Sequence, residues 1–501
     1  MIIGSRQSDL AKIQAFAVGD AIQKAHPTLP IQYFFRQAQG DVDLKTPLWR
    51  SPAQGVFTQD LRSDLLAGRC DLVVHSWKDL PTADDPDTEV VGTLPRADLR
   101  DLILFKADLQ RGSDPIALVI QTSSPRREHN LSQLLPELLP RKIQSLEFRS
   151  IRGNVQTRLR KWASDPETHG LVLAKAAVDR ILLSRQSEFL ETRELVQKHL
   201  ASSFVVILPW TAHPSAAAQG ALALQVRKAD AAKYKELFAG ILDRSCFWDV
   251  NQEREKLQSY GGGCHLKIGV SQKTSSFGTH FVAKGLTPNG VSLAEESFVP
   301  QTPIPSESKS GKVFWSLPEY FVRKKVALPE SLESTLADKL VVISRSQAWP
   351  EGLSSTAGRI RLAAGVESWK RLAKRGVWIH GCLESYGTSQ VADWESLFQC
   401  QAIHLTHERE ASQRENALAT YRMEVDEETL KTVEWNQYTH FYWSSYTLFE
   451  AAVNLVPELL SRYHHCGMGA THAKIRSHLG PKGFLWGWPG PDSLKNFLSK
   501  P

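Results

Sequence analysis

An α/β architecture in several domains is what this sequence predicts, and three observations predict it. From Met1 to about Arg185 short apolar strands alternate with stretches of helical periodicity, the signature of a sheet with crossover helices. A new strand start, Leu340-Val341-Val342-Ile343-Ser344-Arg345, follows a stretch from Pro300 to Gly311, rich in Pro, Ser and Lys, that reads as a linker. The length of 501 residues exceeds one core and, at roughly 100–200 residues per domain, makes about three to five.

Taken in order, Met1-Ile2-Ile3 reads as a strand leading to Ser8, which can cap a helix carrying Leu10, Ile13 and Ala17 on one face. Asp71 to Val74 is a second strand and Ile116 to Ile120 a third. The third runs into Thr122-Ser123-Ser124-Pro125-Arg126-Arg127, where Ser124 suits the N-cap and Pro125 the first helical position. A helix start followed at once by two arginines is a ready anion site. Leu171 to Ala174 is a fourth strand, and the Pro-, Ala- and Gln-bearing stretch from Thr211 to Ala221 reads as a hinge or crossing segment between lobes. A further α/β unit runs to about Val299, and Lys312 to Leu336 fits neither strand nor helix clearly. In the last domain, Gly365 to Gly376 and Gly469 to Gly480 are helical stretches bounded by glycines at equal spacing, opening near Ser368 and Thr471, which suggests two similar halves.

The formal charge of +6 hints at anionic partners without choosing among them. No apolar run reaches the ~18 residues that cross a bilayer, so a cytoplasmic protein without a membrane partner is expected. The six cysteines show no Cys-x-x-Cys pair, which argues against a zinc knuckle or a disulfide framework; no metal is expected, and most of the thiols should be buried. Cys264 differs, because Gly261-Gly262-Gly263 before it makes a bent, exposed loop able to hold a thiol toward a ligand.

In Val73-Val74-His75-Ser76-Trp77-Lys78-Asp79-Leu80-Pro81 an apolar strand runs into polar groups that no core needs. Ligands of open α/β sheets bind beyond the carboxyl ends of the strands, which places Asp79 well for contact; a solvated Lys78-Asp79 pair in a turn has the same sequence. Arg6, Arg126, Arg127, Arg149, Arg152 and Arg158 also fall near strand ends or helix starts. Guanidinium groups grip carboxylates with paired hydrogen bonds and keep their charge when partly desolvated, so a substrate with several carboxylates is implied. Solvated helix faces and nucleic-acid binding are the alternatives; against the second, no stacking platform of aromatics interleaves the arginines.

Five strings occur in the order seen in hydroxymethylbilane synthase, also called porphobilinogen deaminase. They are His75 to Pro81, Arg96-Ala97-Asp98-Leu99-Arg100-Asp101, Thr122 to Arg127, Arg152-Gly153-Asn154-Val155-Gln156-Thr157-Arg158-Leu159, and Gly262-Gly263-Cys264. The resemblance covers about residues 1–310. It implies two hinged, periplasmic-binding-protein-like lobes and a small α/β third domain: lobe 1 over 1–95 with 202–214 returning, lobe 2 over 96–201, and a cofactor-carrying domain over 215–300. It further implies that four porphobilinogen molecules are joined head to tail, with release of ammonia, into a linear tetrapyrrole. A dipyrromethane cofactor would be bound through a thioether at Cys264, with Asp79 handling protons and stabilising positive charge on pyrrole nitrogen. Lys78, Ser124, Arg126, Arg127 and Arg152 would hold the cofactor, and Arg6, Ser8, Phe57, Arg158 and Arg180 the substrate. A monomer is expected, with no nucleic-acid partner. The chain departs from the family pattern at Gln54 and Gln59, which replace expected lysines, at Gln121 and Ala177, which replace glycines, and at Ser215-Ala216-Ala217-Ala218-Gln219-Gly220, where Pro-Ala-x-Gly-Gln-Gly is usual.

After a linker over 301–337, residues 338–501 resemble uroporphyrinogen-III synthase in Phe441-Tyr442-Trp443-Ser444-Ser445, in a helix through Phe449, Ala452 and Val456, and in Cys466-Gly467-Met468-Gly469-Ala470-Thr471. That implies a bilobal α/β domain with Ser444 and Thr471 as ligand contacts, and a bifunctional chain that also cyclises the tetrapyrrole. A two-lobed binding or sensor protein with an accessory C-terminal domain is the competing class, since hinged lobes with arginines in the crevice also suit a binding module.

Overall fold

The computed structural model describes residues 1–37, 58–112, 114–263, 265–305, 311–384 and 390–499. They form two compact units, the first made of residues 1–136, 142–273 and 282–295 and the second of 137–141, 274–281 and 296–501.

The first unit is built on two five-stranded sheets. Its strands and helices are β1 (Ile2–Arg6), α1 (Asp9–Ala25), β2 (Gln32–Arg36), α2 (Gln59–Leu66), β3 (Leu72–Ser76), β4 (Thr88–Gly92), β5 (Asp101–Lys106), β6 (Ile116–Gln121), α3 (Pro125–Leu138), β7 (Ile143–Arg149), α4 (Val155–Ser164), β8 (Gly170–Ala174), α5 (Lys175–Leu183), α6 (Leu190–Ala201), β9 (Ser203–Ile207), β10 (Leu222–Arg227), α7 (Ala231–Phe238) and α8 (Arg244–Gln258). Lobe 1 has the order β2-β1-β3-β10-β4 and lobe 2 the order β7-β6-β8-β5-β9. In each sheet one strand runs against the rest, β10 in lobe 1 and β5 in lobe 2. Both are the first strand after the chain changes lobe. The two crossings touch, with the Ala97 amide donating to the Gly220 carbonyl at 3.1 Å. This is the α/β architecture that the strand and helix periodicities predict, arranged in the two lobes that the family resemblance implies.

Several boundaries differ from the sequence expectation. β2 was not anticipated: Gln-Tyr-Phe-Phe-Arg is only partly buried and lacks a clean alternation. β3 starts at Leu72 and continues to Ser76. In α1 the core face is Ile13, Val18 and Ile22, whereas Ala17 is exposed. Residues 203–207 do not return to lobe 1, because β9 pairs with β5 from Leu102↔Ile207 to Lys106↔Ser203. The returning strand is β10, whose Leu224 and Val226 join Ile3, Val18, Leu72 and Phe238 in the lobe 1 core. Residues 215–238 therefore belong to the crossing and to lobe 1, not to a cofactor-carrying domain.

A three-stranded sheet follows, β11 (Lys267–Ser275), β12 (Gly278–Leu286) and β13 (Ser292–Pro300). The second unit comprises β14 (Val313–Trp315), β15 (Phe321–Lys325), α9 (Leu332–Leu336), β16 (Leu340–Ile343), β17 (Ile360–Ala363), α10 (Val366–Lys374), β18 (Gly381–Cys382), α11 (Val391–Phe398), β19 (Ala402–His407), α12 (Glu408–Ala411), β20 (Ala417–Val425), α13 (Glu427–Lys431), β21 (His440–Trp443), α14 (Tyr446–Leu455), β22 (Tyr463–Gly467), α15 (Ala470–Leu479), β23 (Leu485–Trp488) and α16 (Pro491–Leu498). They make a parallel sheet β14-β21-β22-β23 and a mixed sheet β15-β20-β19-β16-β17-β18. Both glycine-bounded segments are helices with Gly365 and Gly469 at their N-caps, one beside each sheet's strands. The stretch read as linker contains β14 and β15, so this unit starts before residue 338. Short strands with a hydrophilic edge, such as Phe-Val-Arg-Lys-Lys, carry too little apolar pattern to announce themselves.

The parallel sheet has a buried polar network. Trp443 Nε1 donates to His464 Nδ1 at 2.9 Å, and His464 Nε2 lies 2.9 Å from the Leu459 carbonyl. Trp488 Nε1 donates to His465 Nδ1 at 3.0 Å, and His465 Nε2 lies 2.9 Å from His440 Nδ1. An indole only donates, so each Nδ1 here must be an unprotonated acceptor and both imidazoles are neutral. Burial holds His464 down at about 4 and His465 well below its usual range. The unfolded chain takes up these protons near pH 6.5, so stability falls as pH drops from there toward 4, by roughly 1.4 kcal/mol per histidine per pH unit. Urea melts followed by tryptophan fluorescence should show the second unit's midpoint dropping steeply between pH 7 and 5; a flat profile would contradict this network.

No helix among the described residues is long and apolar enough to cross a membrane. Cys70, Cys246, Cys382 and Cys466 are buried and Cys400 is partly buried.

Candidate active site

Between the carboxyl ends of the parallel strands of lobes 1 and 2 lies a cavity of about 530 Å³. Its only carboxylate among the described lining residues is Asp79, facing Arg6, Arg127, Arg152, Arg158, Arg180 and Lys78. Ser8 lines it as well.

Asp79 ends a single turn, Trp77–Asp79, directly after β3. The Trp77 ring is 2 % exposed and packs with Ala218, Ala221, Ala223, Cys246 and Val250, while its amide donates to the Ala221 carbonyl at 3.1 Å. With Trp77 pinned inward, the next two side chains project into the cleft. Lys78 Nζ donates to Gln219 Oε1 at 3.1 Å. Burial, reinforced by Arg127 and Arg126, pulls the Lys78 ammonium down to about 8 against the pull of Asp79 and Asp101.

The arginine pair at the start of α3 divides. Arg127 Nη2 donates to Asp101 Oδ1 at 2.7 Å and Nη1 to the Val172 carbonyl at 3.4 Å, leaving its buried Nε without a partner. Arg126 is a correction to the sequence reading: it does not line the cavity. Its Nη2 donates to Asp101 Oδ2 at 2.7 Å, and its Nη1 donates to the Pro214 carbonyl at 2.9 Å and lies 3.2 Å from His213 Nε2. Ser124 also stays out of the cavity; its hydroxyl accepts from the Arg127 amide at 3.5 Å, as an N-cap does. Arg149 pairs with Glu147 and Glu167 on an exposed surface.

Arg158 sits on α4, whose N-cap Asn154 accepts from the Thr157 amide, and its Nε donates to the Gly153 carbonyl at 2.8 Å. Arg180 Nη2 donates to the Gly220 carbonyl at 2.6 Å. Burial lowers both guanidinium groups to about 10, and neighbouring Arg127 and Arg152 add to the effect on Arg158. Crowded, partly desolvated cations of this kind are relieved by anions, and the orphaned Arg127 Nε is a donor without an acceptor. The donor set fits a group carrying several carboxylates.

Two residues escaped sequence reasoning. Asp101, fully buried, accepts from Arg126, Arg127 and Gln219 Nε2 (2.9 Å), with His213 Nε2 3.1 Å away. An acid opening the apolar strand Leu-Ile-Leu-Phe was the available signal, since burial there demands cationic partners. Gln219 links Lys78 to the Leu99 carbonyl and to Asp101. Beside it, Ala218 has φ +65, a left-handed conformation that costs about 1 kcal/mol without glycine, so the departure from the family's hinge pattern is a strained one.

Phe57, Gln54 and Cys264 lie outside the described residues. Gln59 opens α2 and does not line the cavity; Ala177 does, and Gln121 donates to Asp165 Oδ2 at 3.1 Å. The glycines before Cys264 have φ +96, +63 and +102, three successive left-handed residues that only a glycine run adopts freely.

In the second unit, Ser444 and Thr471 both line a cavity of about 550 Å³ beyond the carboxyl ends of β21 and β22, together with Trp315, Tyr442 and Lys495. Ser444 Oγ is 2.9 Å from Ser316 Oγ, and its carbonyl accepts from Arg345 Nη2 at 2.8 Å.

Fold and cleft define a two-lobed α/β protein whose cleft sets one carboxylate among several cations on the described lining residues. A family model described as "Porphobilinogen deaminase, dipyromethane cofactor binding domain" matches residues 1–235. A porphobilinogen deaminase of Roseiflexus sp. (strain RS-1) is 33 % identical over 270 residues, 54 % of this chain and 80 % of that protein. One from Acidothermus cellulolyticus is 34 % identical over 272 residues, 54 % of this chain and 73 % of that protein. The chain belongs to the porphobilinogen deaminase family. A solved uroporphyrinogen III synthase of Thermus thermophilus covers 34 % of this chain and 84 % of its own at 16 % identity and TM-score 0.19; at that score the likeness assigns nothing to the chain.

Proposed function

We propose that the first unit joins four porphobilinogen molecules head to tail, releasing one ammonia at each coupling, on a dipyrromethane held by a thioether at Cys264. The observation that carries this reading is that, among the described lining residues, one carboxylate, Asp79, faces five arginines and a lysine. Lys78, Arg127 and Arg152 would hold the dipyrromethane, which supplies a free pyrrole carbon as the nucleophile. Arg6, Arg158 and Arg180, with Ser8, would hold the acetate and propionate of each incoming porphobilinogen. Asp79 accepts a hydrogen bond from the pyrrole N–H and stabilises the positive charge that develops as the carbon–nitrogen bond breaks and ammonia leaves, then takes up the proton that the coupled pyrrole carbon loses once the new carbon–carbon bond has formed. A preorganised charge at the point where charge develops is often the largest catalytic contribution.

The second unit is proposed to cyclise the linear product, with Ser444 and Thr471 among its contacts. Tethering places a second site at high effective concentration around a product that closes by itself when free.

The test is intact mass and product analysis of the full chain. The mass should exceed that of the sequence by one dipyrromethane, and the excess should vanish in Cys264→Ala. Incubation with porphobilinogen should give mainly the type III ring. An unmodified Cys264 with no porphobilinogen consumed sinks the first activity in favour of a binding or sensor protein, and type I ring alone sinks the second.

A further inference from the structure

The segment that carries Asp79 is gripped from behind by α8. Arg254 lies outside the cavity that Asp79 lines. Its Nη1 donates to the Leu80 carbonyl at 3.3 Å and its Nη2 to the Pro81 carbonyl at 2.5 Å, the two residues directly after Asp79. Its guanidinium sits 5.8 Å from the centroid of the Trp77 ring, two residues before Asp79. One turn further along α8, Gln258 hydrogen-bonds the Thr82 hydroxyl. The same helix end holds the glycine turn, through Gly261 N to the Gln258 carbonyl at 2.8 Å and Gly262 N to the Leu257 carbonyl at 3.1 Å. That turn packs against the Asp79 segment so closely that a Cβ on Gly262 would lie 2.4 Å from Thr82 Oγ1.

Arg254 makes no ion pair among the described residues, although Asp84 is near enough to favour its charge, and burial lowers it to about 10. A partly desolvated guanidinium spent on two carbonyl oxygens is a poor choice for stability alone. What it does is fix the carbonyl plane on one side of Asp79 and the indole on the other.

We infer that Arg254 is a positioning residue that sets the Asp79 carboxylate relative to the glycine turn leading to Cys264, joining the two through α8. This rests on the reading of Asp79 as the group that handles protons. Misplacing such a group by about an ångström lowers turnover by up to about 10²-fold while leaving substrate binding largely intact.

The test compares Arg254→Met, Arg254→Lys and Asp79→Asn in the full chain, with porphobilinogen as substrate and hydrogen exchange of residues 77–82 as the second readout. Arg254→Met should lower kcat about 30-fold with KM within about threefold, and the Leu80 amide should exchange about tenfold faster. Arg254→Lys keeps the charge and one donor and should recover most of the kcat lost in Arg254→Met; if the Met variant melts below the assay temperature, all variants are compared at a temperature below its melting midpoint. Arg254→Met with kcat within twofold of the parent, or with KM alone raised, overturns the inference while Asp79→Asn is inactive. Turnover retained by Asp79→Asn overturns the underlying reading instead.

Discussion

Asp79→Asn should lose at least about 10³-fold in kcat while KM stays level or falls. Asparagine keeps the size and a carbonyl oxygen, so what disappears is the charge and the capacity to take a proton. Removing a preorganised electrostatic partner costs about 10²–10³ in rate, and general acid–base assistance is worth a comparable factor. The direction of KM follows from the wall: among the described lining residues six cations with one anion attract an anionic substrate, and deleting the anion strengthens that attraction. Stability should change little, because Asp79 is exposed and makes no hydrogen bond among the described residues. Single-turnover kinetics with porphobilinogen, beside a thermal melt, check both halves. A rise in KM with kcat preserved would move the chemistry to another residue.

Asp101→Asn should be the most destabilising conservative change in the first unit. The carboxylate is fully buried between Arg126 and Arg127 with Gln219 and His213. An amide leaves two buried guanidinium groups without a counter-charge, at about 3–5 kcal/mol. For a unit of this size the melting temperature should fall by roughly 10 °C. Those cations hold the Asp101 carboxyl well below the usual range in spite of its burial. Its contribution is therefore complete above the unfolded value of about 4 and is lost as pH falls further, through the folded value. Parent and variant should differ fully at neutral pH and converge in the acid limb below about pH 4. An unchanged melt would show that the cluster is not what binds the crossing segments together.

How much was legible follows from which residues announce themselves. The cores of β3, β6 and β8 were readable because each is a buried apolar run with a polar break after it. β9 and β10 were assigned to the wrong regions because apolar runs of equal character do not name their partners; only register does. Arg6, Arg127, Arg152 and Arg158 could be placed from their positions at strand ends and helix starts, whereas Arg180, in the last turn of α5, was implied only by the family resemblance. Arg126 could not be told from Arg127, since neighbours on a helix diverge by about 100° and one sequence position separates a cleft residue from a core one. Asp101 and Arg254 were invisible as site residues because they act through backbone and through other side chains.

The order β2-β1-β3-β10-β4 has a consequence during synthesis. Lobe 2 is assembled from strands consecutive in the chain, β5 to β9, but β3 and β4 wait for β10, which emerges more than a hundred residues later. At about 5–20 residues per second this leaves lobe 1 open for roughly ten seconds on the ribosome, with β3 presenting an unpaired edge. The Trp77 amide, whose partner is the Ala221 carbonyl, is unsatisfied for as long. Between the two waiting strands runs Asp84-Asp85-Pro86-Asp87, whose like charges and proline oppose pairing between nascent chains during that interval.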